Sequence, residues 1–300
     1  MIRKTTTIIA TAALIAGLAA CSDDSADTAA TTAGGTTAAT DEAVRIGVVG
    51  SQDDQWPIFE EKAAAAGIDV EIINFSEYTL PNPALSEGQL DLNQFQHLQY
   101  LADYNVASDD TLTPIGATAI YPLALYSEQY DSVDAIPEGA EIAVPNDPTN
   151  LNRALFVLQS AGLLKLEGGG TLSSTELDVL PESKVTVTPV DAAQAAVALK
   201  SVAGAVINND FIADAGLTPE DAIAQDDPNS VGARPYINIW VAREADKDNE
   251  TYLKLVEIFH DAEVEEALKA ASGGSAVIVN EDAATLAGYL ADIQEQIAAK

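Results

Sequence analysis

Strand-like and helix-like segments alternate along most of this chain, which predicts an α/β protein with largely parallel sheets. Residues 44–50 form a short apolar strand pattern that ends in glycine. Residues 56–66 follow with a helical pattern that ends at Gly67, and residues 70–75 form a second strand pattern. The sequence shows neither a heptad pattern nor a repeat of solenoid length.

The same order returns later in the chain. A strand pattern at residues 141–144 precedes a helical pattern at residues 151–161, which Gly162 ends. A helical pattern at residues 191–200 precedes an apolar strand at residues 205–207. In open α/β sheets ligands bind beyond the carboxyl ends of the strands, so the residues that directly follow each strand are the candidates for a binding site.

The N-terminus has the pattern of a bacterial lipoprotein signal. Cys21 is the only cysteine in the 300 residues, and residues 18–21 read Leu-Ala-Ala-Cys, which is a lipobox. Arg3 and Lys4 precede an apolar run at residues 8–20 that is too short to span a bilayer. A transmembrane anchor and a chance cysteine are the alternatives to lipidation.

We therefore predict a signal peptide at residues 1–20 and a lipidated Cys21 at the start of the mature chain. Residues 21–43 are rich in Ser, Asp, Ala, Thr and Gly and are expected to form a flexible tether. A body of about 255 residues follows, enough for one large or two small domains. The protein is expected on the extracytoplasmic face of the cell membrane, held by its lipid.

The charge balance narrows the classes of partner. The chain carries 47 acidic and 14 basic residues, and removal of Arg3 and Lys4 leaves a net charge of −35. Nucleic acid binding requires a basic surface, so that class is excluded, and adsorption to anionic lipid headgroups is disfavoured. The acidic excess is typical of a solvated surface. A bound anion has to be met by one of very few positive side chains.

Aromatic and amide residues follow the second predicted strand. Residues 75–78 read Phe-Ser-Glu-Tyr, and residues 88–100 carry several amides, a histidine and a tyrosine. If the end of this stretch is helical, His97, Tyr100 and Tyr104 lie on one face, either as core or as a binding surface. The chain has only two histidines, and its one cysteine is acylated, so we predict neither a transition-metal site nor another cofactor.

A helix start with a cation follows the strand at residues 141–144. Asp147 is expected to be the N-cap and Pro148 the first helical residue, which places Arg153 within the first two turns. Helical side chains lean toward the N-terminus, so the guanidinium of Arg153 is directed to the space beyond the strand end. There it binds either a ligand carboxylate in a bidentate pair or a structural acid such as Asp147.

Two further strands end in amides. Residues 204–209 form an apolar strand that ends in Asn208 and Asn209, and residues 235–240 contain Asn238. Asparagine offers both donors and an acceptor, which suits an ammonium or a carboxylate group. It is also a common turn residue.

The order of these segments along the chain and their amino-acid sequences resemble those of the methionine-binding lipoprotein family, which serves bacterial ABC importers. The resemblance covers residues 45–279, and its specific parts are residues 75–85, 90–97, 145–150, 153–155, 191–194, 206–208 and 215–217. It implies a two-lobed periplasmic-binding-protein fold of type II, in which each lobe is a mostly parallel sheet flanked by helices. The crossings are expected near Tyr126 and Tyr236, so lobe 1 comprises residues 44–125 plus 236–300 and lobe 2 comprises residues 126–235.

The resemblance also implies which residues bind the cargo, an amino acid trapped between the lobes. Its aromatic slot for a thioether side chain falls on Tyr78, Phe95, His97 and Tyr100. Its carboxylate clamp falls on Arg153 with Asn150, and its contacts to the amino-acid backbone fall on Asn208 and Asn238. The expected function is capture of methionine and its delivery to a membrane permease with its ATPase.

Some positions depart from the family pattern. Residues 55–57 read Gln-Trp-Pro in place of a proline-histidine pair, and the sequence leaves open whether Trp56 reshapes the mouth of the pocket. Residues 98–99 read Leu-Gln in place of lysine-proline, and residues 229–234 form a small insertion. Another small amino acid or a methionine-containing dipeptide is therefore an alternative cargo. A membrane-anchored extracellular enzyme with His97 as its base and a structural lipoprotein are the alternative classes.

Overall fold

The computed structural model describes residues 43–50 and 53–299. Cys21, the signal peptide and the tether up to residue 42 lie outside the described residues. Within the described residues, none of the helices combines the length and the apolar character needed to cross a membrane.

The described part of the chain alternates strands and helices. Its strands are β1 Val44–Val48, β2 Val70–Asn74, β3 Leu92–His97, β4 Thr113–Ala117, β5 Ala119–Ile120, β6 Ala124–Tyr126, β7 Ala140–Pro145, β8 Val185–Val190, β9 Gly204–Ile207, β10 Ala224–Gln225, β11 Asn238–Ala242 and β12 Val277–Ile278. Its helices are α1 Gln55–Ala65, α2 Pro81–Ser86, α3 Leu98–Ser108, α4 Pro148–Ser160, α5 Ala192–Ala198, α6 Glu250–Phe259, α7 Ala262–Ala271 and α8 Ala283–Ala298. The predicted α/β class is confirmed.

Two five-stranded sheets organise these elements. The first sheet has the order β2-β1-β3-β11-β4 and the second has the order β10-β6-β9-β7-β8. β1 pairs parallel with β2 and β3, whereas β11 runs antiparallel to β3 and β4. In the second sheet β7 pairs parallel with β8 and β9, and β6 runs antiparallel to β9 and β10. Each sheet thus has a single reversed strand.

The reversed strands are those that the chain forms first after it changes sheets. The chain leaves the first sheet after Ala117 and enters the second at Ala124, and it returns between Gln225 and Asn238. The changes of sheet therefore lie close to Tyr126 and Tyr236, the predicted crossings. The exact lobe bounds stay a prediction.

The core of the first sheet contains an aromatic cluster of Trp56, Phe59, Trp240 and Phe259. The ring of Trp56 lies 5.9 Å from Phe59, 6.2 Å from Trp240 and 5.8 Å from Phe259. Trp56 is only 2% exposed, so it fills the core between α1 and the sheet. Trp56 does not line the cavity, so it does not reshape the mouth of the pocket, a possibility that the sequence left open.

The segment before α3 differs from the helix considered above. Residues 92–97 form the fully buried strand β3, and His97 is the N-cap of α3. A strand buried on both faces lacks the alternation that marks a strand in sequence. Its amides form a buried network in which Asn82 donates to Gln96 at 2.8 Å and Asn93 donates to Asn82 at 3.0 Å. The prediction that His97 lies on one helical face with Tyr100 and Tyr104 is therefore wrong, because His97 precedes the helix.

The start of α4 is the one that the sequence predicts. Asp147 caps the helix by accepting a hydrogen bond from the backbone N–H of Asn150 at 2.9 Å, and Pro148 is the first helical residue. Ala161 is the C-cap, and Gly162 follows with a φ of 75°, a left-handed conformation that favours glycine. These signals place Arg153 in the second turn.

Candidate functional site

One cavity is lined by side chains from both sheets. Tyr78, Phe95, His97 and Tyr100 come from the first sheet and its connections, and Asn150, Arg153 and Asn208 come from the second. Asn238, the first residue of β11, also lines the cavity. All eight predicted site residues thus lie around one space. The other lining residues, which were not predicted as site residues, are Gln96, Tyr121, Pro122, Leu123, Asn209 and Asp210.

Two kinds of sequence signal bear on the lining residues that were not predicted as site residues. Tyr121, Pro122 and Leu123 lie where the chain changes sheets, a position that becomes visible only once strand order is known. Asn209 and Asp210 are the second and third residues after the end of β9, in the region where α/β sheets bind ligands. Inspection of the residues after each strand could have found Asp210.

Three aromatic rings form one wall of the cavity. The centroid of Tyr78 lies 6.0 Å from Phe95 and 6.2 Å from Tyr100, and Phe95 lies 5.8 Å from Tyr100. The hydroxyl of Tyr100 donates a hydrogen bond to the backbone oxygen of Tyr78 at 3.0 Å, which fixes the orientation of its ring. Such rings offer apolar surface and polarisable faces to a side chain placed against them.

His97 and Asn150 belong to one oriented hydrogen-bond network. Nδ1 of His97 accepts from the backbone N–H of Tyr100 at 3.1 Å, so Nε2 carries the proton and donates to Oδ1 of Asn150 at 3.3 Å. Nδ2 of Asn150 donates to both carboxylate oxygens of Asp147 at 3.1 and 3.0 Å. Asn208 also donates to Oδ1 of Asn150, at 3.1 Å. Asn150 therefore orients both His97 and Asn208.

The His97 imidazole is neutral over the physiological range. Burial and the nearby positive charge of Arg153 lower the pKa of His97 to about 3. A group with so low a pKa is a poor general base near neutral pH, and its proton on Nε2 is already bound to Asn150. The geometry thus gives no support to His97 as a catalytic base.

The guanidinium of Arg153 already has an acidic partner. Nε donates to Oδ2 of Asp226 at 2.6 Å, and Nη2 donates to Oδ1 of Asp226 at 3.2 Å and to the backbone oxygen of Tyr121 at 2.8 Å. Its carbon Cζ lies 4.1 Å from the ring centroid of Tyr236. Of the two alternatives left open by the sequence, a structural pair is therefore present, with Asp226 rather than Asp147. Within the described part of the chain, Nη1 makes no hydrogen bond.

The predicted insertion at residues 229–234 lies beside this ion pair and not in the cavity. Ser230, Gly232 and Ala233 line a second, outer cavity together with Arg153 and Asp226. The guanidinium of Arg234 stacks over the ring of Tyr289 in α8, with its Cζ 4.7 Å from the centroid. The insertion thus covers the outer side of Arg153.

Polar groups on the segment after β9 complete the cavity. Oδ1 of Asn208 is buried and has no hydrogen-bond partner among the described residues. Asp210 accepts a hydrogen bond from the hydroxyl of Tyr78 at 2.6 Å. Burial, together with nearby Asp53, raises the pKa of Asp210 to about 7 against the lowering effect of the Tyr78 hydrogen bond. Nδ2 of Asn238 makes one long contact, 3.4 Å from the backbone oxygen of Tyr236.

Most of the chain matches a known protein family. The model of the NlpA lipoprotein family matches residues 44–279. The chain belongs to the NlpA lipoprotein family. The resemblance found in the sequence is thereby confirmed. In the described residues there is no cluster of three or more His, Cys, Asp or Glu side chains that could hold a metal ion.

Proteins with methionine in their names are among those similar to this chain. The D-methionine-binding lipoprotein MetQ of Escherichia coli (strain K12) is 39% identical over 240 residues, 78% of this chain and 87% of the relative. The crystal structure of the substrate-binding protein of a methionine transporter from Streptococcus pneumoniae is 33% identical with a TM-score of 0.74, over 79% of this chain and 95% of that one.

A second solved structure is also similar to this chain. The structure of a nutrient binding protein from Burkholderia cenocepacia bound to methionine is 36% identical with a TM-score of 0.73, over 79% of this chain and 99% of that one. Together with the two sheets flanked by helices, this likeness confirms the periplasmic-binding-protein fold.

Proposed function

We propose that this protein is the substrate-binding lipoprotein of an ABC importer and that it captures an amino acid, methionine, in the cavity between its two sheets. The observation that supports this proposal is that an aromatic wall from the first sheet faces the same cavity as an arginine and amides from the second sheet. The aromatic wall suits a flexible thioether, and the polar groups suit the charged end of an amino acid. Membership of a family of binding proteins agrees with the prediction that the chain is not an enzyme.

Each end of the ligand has a partner in this proposal. The carboxylate binds Nη1 of Arg153 and the amide of Asn238, while the thioether lies against Tyr78, Phe95 and Tyr100. Asn208 offers a buried acceptor that lacks a partner within the described residues, and burial without a partner is costly. An ammonium group supplies the missing donor. In this arrangement Asn150 and His97 orient the lining through their hydrogen bonds, whereas the resemblance implies a place for Asn150 in the carboxylate clamp and for His97 in the aromatic slot.

The lining of the cavity favours a single amino acid over a dipeptide. The described residues that line it offer one cation, Arg153, for one carboxylate and one aromatic wall for one side chain. Another small amino acid leaves the aromatic wall partly uncovered.

Titration calorimetry and thermal unfolding test the proposal on the purified mature protein. We expect methionine to bind and to raise the melting temperature, because a ligand that binds only the folded state stabilises it by mass action. Alanine, serine and glycyl-methionine serve as the comparison set. An unchanged melting temperature with every amino acid contradicts the proposal.

Replacement of Phe95 tests the aromatic wall. We expect Phe95→Ala to weaken methionine binding by about 1.5–3 kcal/mol, since a buried aromatic contact is lost. Binding of alanine, which does not reach the wall, changes less than about threefold. Calorimetry of both ligands measures the difference, and Phe95→Leu should recover part of the loss. Tyr130→Ala, an aromatic truncation outside the cavity, is the control, and equal losses for both ligands would refute the assignment.

Lipid anchoring of Cys21 is the second part of the proposal. The lipobox supports it, and the family's name describes lipoproteins. At least two acyl chains are expected, because one chain holds a protein only marginally. The importer permease with its ATPase is the expected partner.

Cys21→Ser tests the anchor. The folded body should leave the membrane fraction, because the acylated thiol is gone, while Ser25→Ala in the same tether should stay in it. Fractionation and immunoblotting measure the distribution, and mass spectrometry establishes whether the signal peptide was removed. A processed Cys21→Ser protein that stays with the membrane rules out lipid anchoring.

A further inference from the structure

Asp210 leaves the cavity with an anion that the binding mode above does not use. It lies in the turn after β9, and among the described residues that line the cavity Asp210 is the one carboxylic acid and Arg153 the one cation. Arg153 is already balanced by Asp226, with the two side chains joined at 2.6 Å. Asp210 has the Tyr78 hydroxyl, at 2.6 Å, as its cross-sheet partner. Asp210 is partly buried, and a neutral phenol does not balance the charge of its carboxylate.

The surroundings of Asp210 are acidic or neutral. Tyr78 and Tyr121 lie near it, and burial raises the pKa of each phenol, so both stay protonated. Asp53, which follows β1, is a further acid, and its pKa is also raised by burial. The aromatic rings of Tyr78 and Phe211 pack with centroids 5.3 Å apart and shield this corner. The position therefore favours a cation.

We propose that Asp210, together with Oδ1 of Asn208, binds the ammonium group of the amino-acid cargo and makes the cavity selective for ligands with a free amine. The inference rests on the proposed function and adds a residue to it. An ammonium has three N–H donors, and these two acceptors stand two residues apart on one segment. The carboxylate of a zwitterionic amino acid then binds Nη1 of Arg153, which Asp226 does not use, and its ammonium binds Asp210, so each charged end of the ligand has a partner of opposite charge.

Binding should then be linked to pH. The carboxyl of Asp210 has a pKa of about 7 in the empty protein, and an ammonium beside it favours the charged form. Below that pH the ligand has to displace a proton, so affinity falls as the pH falls, by up to about tenfold per unit. Above that pH the carboxyl of Asp210 is already ionised, so the affinity no longer changes with pH. His97 is neutral across this range, so it does not contribute to the change of affinity with pH.

Two ligands and two variants test the inference by calorimetry on the mature protein. The ligands are L-methionine and 4-(methylsulfanyl)butanoate, which keeps the carboxylate and thioether but lacks the amine. We expect the parent to prefer methionine by about 100-fold and Asp210→Asn to lose most of that preference through weaker methionine binding. Asp214→Asn, which removes an exposed charge from the next turn, should behave like the parent. The affinity of the parent should fall between about pH 8 and about pH 6, while that of Asp210→Asn stays level.

Thermal unfolding of the ligand-free protein shows whether the variant folds. A carboxyl with a raised pKa stabilises the fold fully at low pH and loses that contribution as the pH rises through about 7. Asp210→Asn should therefore melt at a higher temperature than the parent at about pH 8 and at a similar one only below about pH 4, where the carboxyl is protonated in both the folded and the unfolded state. If it fails to fold, the ligand comparison on the parent decides, and a preference below about threefold overturns the inference.

The outcomes separate this inference from the proposed function. Methionine binding by Asp210→Asn at the parent's affinity, or an undiminished preference for the amine, overturns the role of Asp210 and leaves the proposed function standing. A parent that binds neither methionine nor its analogue overturns the proposed function and this inference with it.

Discussion

Arg153→Ala is expected to keep the fold and to weaken methionine binding by about 2–4 kcal/mol, roughly 30- to 1000-fold. Of the described residues that line the cavity, Arg153 is the one cation, so the ligand carboxylate has no replacement partner. Arg153→Lys should recover little, because an ammonium cannot hold Asp226 and the ligand at once with the geometry of a guanidinium. Calorimetric titration measures both variants.

The ion pair with Asp226 makes a second variant necessary. Removal of Arg153 alone leaves the Asp226 carboxylate without its partner, which lowers stability. The double variant Arg153→Ala with Asp226→Asn should regain stability and still fail to bind. Arg234→Ala, which removes a cation outside the cavity, is the matched control and should bind within about twofold of the parent. Parent-like affinity in Arg153→Ala would show that Arg153 is only a structural partner of Asp226.

Trp240→Ala is expected to lower the free energy of unfolding by about 3–5 kcal/mol, as large-to-small changes of buried aromatic residues do. Trp240 has no exposed surface, and its ring lies 5.6 Å from Phe59 and 5.4 Å from Phe259. It also holds β11 in the sheet between β3 and β4, two residues after Asn238. Loss of this packing should therefore disturb one wall of the cavity as well.

Urea unfolding measures the stability of this variant. Trp240→Phe keeps most of the apolar volume and should cost clearly less than the alanine change. Exposed Leu177→Ala is a control for the loss of an apolar side chain without burial and should change stability by less than about 0.5 kcal/mol. A cost below about 1 kcal/mol for Trp240→Ala would contradict the view that this cluster is the core of the first sheet.

Local sequence signals predicted the elements whose ends carry strong stereochemical preferences. Asp147 and Pro148 fix the start of α4 because a carboxylate caps free N–H groups and proline needs no donor at the first position. Gly162 marks its end because glycine adopts a positive φ at little cost. The strand β3 was not recognised, since a strand buried on both faces shows no alternation and its amides are satisfied by one another.

By itself the sequence determined the α/β class, and it predicted a lipoprotein signal ending at Cys21. Through likeness to a known family it also predicted eight residues, all of which line one cavity. The tertiary structure alone decided that Arg153 pairs with Asp226 across 73 residues and that Asp210 meets Tyr78 across 132 residues. Caps and strand patterns act over a few neighbouring positions, so they can be read along the chain. In a chain with 47 acidic residues, which carboxylate meets a given partner depends on the order of the strands and on burial, and these are fixed only when both sheets pack around the cavity.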